Sequence, residues 1–162
     1  DTLEENLLNE FKYLEDVRIV KRFPDIIEVT LTDSVESYYT VQDNVYKIYS
    51  QQFRYLRNGS EPPPETVWLD LDVENSEKIE QAKNLVRQLE KNKMEKITKV
   101  SVRDDNSLSA EYDSRITIEF GTVLDIENKI KMCSKIISEK IPEGEHGTIN
   151  ATNSGEAIYT RQ

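Results

Sequence analysis

The residues best placed to do chemistry are three carboxylates that alternate along one short segment. Asp70, Asp72 and Glu74 alternate with apolar residues, which places them on one face of a predicted strand. Such a row of oxygen ligands is typical of a calcium site, or of a carbohydrate-binding or metal-dependent hydrolase domain. A strand spreads these side chains about 7 Å apart, whereas a compact metal site needs convergent ligands. We interpret the row as a solvated strand face and keep the secreted or surface hydrolase or carbohydrate-binding domain as the alternative.

The remaining reactive residues do not form a catalytic set. His146 is the only histidine and has only Glu143 and Glu145 beside it as further ligands, so we predict a solvated loop histidine and no metal site. Cys133 is the only cysteine, and it falls on the apolar stripe of a predicted helix, where burial disables a thiol. The glycines form no phosphate-binding loop. The sequence therefore predicts a protein that is not an enzyme and uses no cofactor.

The net charge narrows the class of partner. The 162 residues carry a formal net charge of -10, which argues against nucleic acid, because phosphate contacts need a cationic surface. The same charge disfavours direct adsorption to anionic lipid. No apolar run approaches the length of about eighteen residues that spans a bilayer. We expect membrane contact only through an anchor upstream of residue 1.

The N-terminal segment predicts a small unit of one helix and two strands. The two strands are predicted at 17–21 and 26–32, with a reversal at Pro24, because proline fixes φ and removes a ladder donor. The helix is predicted from an apolar stripe at helical spacing. Its residues are Leu3, Leu7, Phe11 and Leu14.

The remainder of the chain predicts a larger domain of strands with two amphipathic helices. A turn is predicted at Asp43-Asn44 and a proline-rich loop at Asn58 to Pro64. Residues that alternate between apolar and polar predict strands, and apolar stripes at spacings of three and four predict helices. These are strands within 37–56 and at 67–73, 100–102, 108–112 and 115–120, and helices at about 75–92 and 124–141.

Several short motifs follow one another in a recognisable order. They are the turn and strand at 22–29, then Phe120-Gly121, Lys129-Ile130, Gly147-Thr148-Ile149-Asn150 and Ser154-Gly155. This order resembles the extracytoplasmic region of the FtsQ/DivIB family of bacterial cell-division proteins. The resemblance implies an α+β fold, with a partial POTRA-like unit at 1–36 and a β domain at 37–162. The β domain would have a mostly antiparallel sheet and two amphipathic helices.

The same resemblance implies a function in the divisome. The chain would be a non-catalytic scaffold that a single-pass anchor holds at the outer face of the cytoplasmic membrane, at the division septum. Its implied partners are FtsB/DivIC-like and FtsL-like proteins, with septal cell-wall synthesis proteins as further candidates. A unit without the first strand and helix of POTRA is also expected to expose apolar surface or to pair with a neighbour.

The terminal segment is the predicted partner site. A last strand commonly lies at a sheet edge, where free N–H and C=O groups accept an extended segment of another protein. Residues alone also allow a plain last strand, and the resemblance favours docking. The helix at 124–141 would support this edge, and the acidic chain predicts basic residues on the partner. The predicted contact residues are Asn150, Thr152, Ser154, Gly155, Ala157, Ile158, Tyr159 and Thr160.

Overall fold

The computed structural model describes residues 2–162, and over these residues the chain has an α+β fold with three helices. It divides into two compact units, Asp1–Thr66 and Val67–Gln162. Most strand pairs are antiparallel. The predicted α+β class with a mostly antiparallel sheet is therefore confirmed. The POTRA-like character and the division into 1–36 and 37–162 stay predictions.

The first unit begins with a helix and a hairpin. These are α1 (Thr2–Glu10), β1 (Leu14–Arg22) and β2 (Ile26–Asp33). The predicted helical stripe is wrong at its C-terminal end, because Leu14 begins β1 and Phe11 is 50 % exposed. The amide of Phe11 still bonds the carbonyl of Leu7, and the amide of Leu14 then bonds the carbonyl of Phe11. Strand pairing of β1 thus overrides the helical spacing.

The rest of the first unit is a three-strand meander. Its strands are β3 (Glu36–Gln42), β4 (Val45–Ser50) and β5 (Tyr55–Gly59). The turn at Asp43-Asn44 has φ values of 50° and 62°, which suit a tight hairpin between twisted strands, so this predicted turn is confirmed. The predicted loop from Asn58 to Pro64 begins later than expected, since Asn58 and Gly59 still belong to β5.

Two polar side chains connect the parts of the first unit. The guanidinium of Arg54 donates to the carbonyl oxygens of Lys12 at 2.8 Å and Leu8 at 3.3 Å, close to the end of α1. The carboxylate of Glu36 accepts from Arg57 at 2.7 and 3.0 Å and from the Tyr13 hydroxyl at 2.8 Å. The hydrogen bonds from Arg57, and secondarily that from Tyr13, lower the pKa of Glu36 against the opposing effect of burial.

The second unit is a sheet with two helices. The elements are β6 (Val67–Asp70), α2 (Ser76–Lys91), β7 (Ile97–Val102), β8 (Leu108–Tyr112), β9 (Ile116–Gly121), α3 (Ile126–Lys140), β10 (Gly147–Asn150) and β11 (Ile158–Arg161). The strands follow the order β11-β10-β9-β8-β7-β6. β6 is parallel to β7 and β9 to β10, and a helix joins the strands of each pair. The helices contact each other as well as β7 and β9, so both lie on one face.

The core of the second unit lies between this face and the helices. Ile116, Ile118 and Phe120 of β9 are fully buried, as expected for the apolar face of the alternating strand predicted at 115–120. The strands predicted at 100–102, 108–112 and 115–120 are found as β7, β8 and β9, which pair in succession with a turn at Asp113-Ser114. Within residues 2–162 we find no helix that combines the length and the apolar character needed to cross a bilayer.

One charged side chain lies inside this core. Lys129 is 1 % exposed, and its Nζ donates to the carbonyl oxygens of Phe120 at 2.8 Å and Thr122 at 3.2 Å. A buried ammonium is costly unless such acceptors surround it. Lys129 therefore holds the end of β9 against the start of α3.

We expect Lys129→Ala to lower the free energy of unfolding by about 2–4 kcal/mol, because it leaves a cavity and an unsatisfied buried carbonyl. The control is Lys131→Ala on the same helix, whose exposed ion pair with Glu127 at 2.9 Å contributes only a few tenths of a kcal/mol. Urea unfolding measures both. Equal losses in the two variants would contradict the structural role of Lys129.

The lowered pKa of Glu36 also predicts how the stability of the fold changes at acidic pH. A carboxyl with a depressed pKa in the fold stabilises above its ordinary pKa of about 4.3 and loses that contribution as the pH falls through the folded value. We expect the urea midpoint of Glu36→Gln to depend less on pH in this acidic range than that of the wild type. The exposed Glu10→Gln is the control, and an unchanged slope in Glu36→Gln would refute the assignment.

Candidate partner-binding edge

The last strand, β11, lies at the end of the sheet of the second unit. It pairs with β10 in the register Ile149↔Tyr159. The amide of Gln162 donates to the carbonyl of His146, so the even-numbered residues of β11 face β10 with their backbone groups. In an antiparallel pair the alternate residues then point the other way. The N–H and C=O groups of Tyr159 and Arg161 therefore form the outer edge.

The structure distributes the eight predicted contact residues over three places. Asn150 ends β10, and Ile158, Tyr159 and Thr160 lie in β11, directly at the edge. The other four belong to the connecting loop. These are Thr152, Ser154, Gly155 and Ala157.

The side chains of β11 divide between the two faces of the sheet. Ile158 is 54 % exposed, and it lies opposite Asn150 on the face without helices. Thr160 lies on the same face, opposite Thr148. Ile158 is therefore the large apolar side chain that this edge offers to a partner.

Tyr159 is held by its own domain. Its hydroxyl donates to the Glu145 carboxylate at 2.8 Å or to the His146 carbonyl at 3.2 Å. Its ring lies over Gly147, where an added Cβ would come within 2.5 Å of the ring. Burial, and then the Glu145 carboxylate, raise the pKa of Tyr159. These contacts fasten β11 to the chain at the start of β10, and the role of Tyr159 in partner binding stays a prediction.

The loop before β11 is ordered by local bonds. The Asn150 side-chain oxygen accepts from the amide of Thr152 at 3.1 Å and from its hydroxyl at 2.8 Å. Gly155 has φ +83°, with open space where a Cβ would stand. The turn at Gly155 therefore leaves room for a partner backbone that approaches β11.

The helix predicted at 124–141 is α3, which packs on β9 and α2. The packing of α3 supports the outer edge only through the intervening strands, because β9 pairs with β10 and β10 pairs with β11. The predicted support from this helix is therefore indirect.

The prediction that Asp70, Asp72 and Glu74 lie on one face of a strand is wrong. β6 ends at Asp70, because the Asp72 carboxylate accepts from the amide of Glu74 at 3.0 Å and closes a turn before α2. The Asp70 carboxylate is paired with the Lys99 ammonium at 2.7 Å. In the described part of the chain no group of three or more His, Cys, Asp or Glu side chains has the arrangement of a metal site.

Two lysines of the second unit, Lys99 on the face of the sheet without helices and Lys78 in the first turn of α2, were not singled out by the sequence patterns. Lys99 lies 3.9 Å from the centre of the Trp68 ring. Lys78 is buried and its ammonium contacts the Asp104 carboxylate at 2.6 Å. Lys78 stands four residues before Ala82 on the buried stripe of α2, and that spacing was the available signal. The two lysines and their carboxylate partners line one shallow groove, where their charges offset one another.

The two lone reactive residues are where the sequence predicted them. Cys133 is fully buried, and burial raises the pKa of its thiol to about 12. His146 is exposed in the loop before β10.

We expect Gly147→Ala to loosen β11, because the new methyl group would overlap the Thr160 carbonyl and the Tyr159 ring. The amide of Thr160, which faces β10, and that of Gln162, which bonds to His146, should exchange faster with solvent, while those inside β9 stay protected. Ser138→Ala on the exposed side of α3 is the control, because a side chain at Gly155, where φ is +83°, would itself strain the loop before β11. Unchanged exchange at Thr160 in Gly147→Ala would contradict this packing.

No protein-family model matches this chain, and no curated protein is significantly similar to it. The likeness to the FtsQ/DivIB family therefore depends on the motifs and their order alone.

Proposed function

We propose that this chain is a non-catalytic scaffold of the bacterial divisome, similar to the extracytoplasmic region of FtsQ/DivIB proteins. It binds FtsB/DivIC-like and FtsL-like proteins through the outer edge of β11, and septal cell-wall synthesis proteins are further candidates. In this proposal residues 1–36 correspond to part of a POTRA unit and residues 37–162 to the β domain. The chain acts at the outer face of the cytoplasmic membrane, and an anchor upstream of residue 1 attaches it.

The observation that supports the proposal best is the position of β11. The backbone groups of Tyr159 and Arg161 point away from β10, and the exposed Ile158 lies beside them. An added strand would gain backbone hydrogen bonds from the first two and an apolar contact from the third.

The acidic balance of the chain suits a basic partner. Glu156 is exposed in the loop that leads to the strand, and the chain as a whole is acidic at -10. Lysine or arginine residues flanking the partner strand would raise the association rate and make it sensitive to salt.

Titration of the ¹⁵N-labelled chain with the extracytoplasmic segments of the two partners from the same bacterium tests the proposal. We expect chemical-shift changes centred on residues 158–162. Arg161→Pro removes an outward N–H and leaves the bonds to β10 in place, so it should weaken binding strongly. Arg161→Ala, which keeps the N–H, should bind nearly as the wild type does.

Two outcomes would contradict the proposal. One is the absence of shifts at high partner concentration with the chain folded. The other is equal binding by the Pro and Ala variants, which would show that the outer edge of β11 accepts no backbone bonds.

A further inference from the structure

A second strand edge lies in the first unit, and it is more apolar than β11. All eight residues of β2 are exposed, and β1 is the only strand that β2 pairs with among residues 2–162. The large apolar residues on it keep more than half of their surface in solvent. They are Ile26 at 59 %, Ile27 at 63 %, Val29 at 52 % and Leu31 at 54 %.

The hydrogen bonds of β1 show which groups of β2 are free. The amide of Ile19 donates to the Glu4 carboxylate at 2.7 Å, so it points away from its partner Val29. The amide of Ser34 bonds to Tyr13 on the side of β1, which gives the same alternation. Ile27, Val29 and Leu31 therefore present their N–H and C=O groups outward.

This edge lacks the usual protection against pairing. Natural edge strands carry lysine, proline or a bulge. β2 contains neither residue between Ile26 and Asp33, and the irregularity of the hairpin lies in β1, between Leu14 and Asp16. A two-stranded sheet is also marginal alone, and further strands stabilise it.

We propose that β2 pairs antiparallel with β2 of a second copy of this chain, across a two-fold axis at Val29. In this register Val29 faces Val29 of the other copy, and Ile27 faces Leu31. The outward groups of all three residues are then hydrogen-bonded. The result is a four-stranded sheet, β1-β2-β2-β1, with an apolar row across its centre.

The sequence of β2 favours a second copy because it is self-complementary about Val29. Glu28 faces Thr30 and Ile26 faces Thr32, so between Ile26 and Thr32 no like charges stand opposite each other. An interface with two-fold symmetry requires this reciprocity. Asp25 would face Asp33 only at the two ends.

Self-association is expected to respond to salt in the opposite direction from β11 docking. Two chains of net charge -10 repel each other, so added salt should strengthen the dimer. Binding of a basic partner at β11 should instead weaken.

Sedimentation of the full chain at concentrations up to about 1 mM, which detects a millimolar Kd, tests the proposal. We expect a concentration-dependent dimer. Val29→Lys should weaken it by about tenfold or more, because two ammonium groups would meet at the axis. Ile158→Lys on β11 should leave it unchanged, which separates this surface from the proposed docking site.

Cross-linking tests the register. Glu28 and Thr30 of the other copy would form a pair without hydrogen bonds, with Cα atoms about 4.5 Å apart, within disulfide range. A mixture of E28C and T30C chains should therefore form a disulfide, while either chain alone should not. The native Cys133 is buried with a thiol pKa of about 12 and will not compete.

Three results would overturn the proposal. They are a chain that stays monomeric over the whole concentration range, a disulfide formed by E28C alone, and shifts at β2 only when a different protein is added. The last result would assign this edge to that protein.

Discussion

The buried ammonium of Lys129 is the interaction on which the second unit depends. It bonds to carbonyls at the end of β9 and therefore sets where α3 leaves the sheet. α3 then returns the chain so that β10 lies parallel to β9 on its outer side. Because β10 takes that place, β11 can pair only beyond it, and it becomes the outer strand. The contacts of this lysine thus position α3, and with it the strands β10 and β11 that complete this edge of the sheet.

Several other charged side chains of the second unit form ion pairs or hydrogen bonds that stabilise its fold. Lys99 and Asp70 pair on the face without helices, and Lys78 pairs with Asp104 at the start of α2. Arg115 donates to Asp113 and to the carbonyl of Glu145. Each of these cations therefore already has a partner in its own unit.

Period-two and helical patterns predicted the elements whose environment is uniform along their length. Ile116, Ile118 and Phe120 all face the same core, and α2 and α3 lie within the predicted ranges. The pattern failed where a side chain could bond to the backbone instead. Asp72 closes a turn and shortens β6. The two parallel pairs were also not predicted, because a helix between strands allows the second strand to return beside the first or to pair elsewhere.

The candidate site was predictable in position but not in detail. A chain end favours an edge strand, and β11 occupies one. Which backbone groups point outward depends on a hydrogen bond of Gln162 that no residue pattern reveals. The fastening of Tyr159 to Glu145 and Gly147 likewise depends on loops brought together by folding.

The parallel pairing of β9 and β10 has a consequence for the order of folding. Hairpins such as β7–β8 and β8–β9 close through short turns and form within microseconds. The β9–β10 pair must wait until α3 has formed and docked, since non-local pairings are slow. We expect pulse-labelling hydrogen exchange to find β10 and β11 protected last. A partner that binds the edge of β11 would then bind only chains whose second unit has finished folding, and it would not bind chains that are still folding.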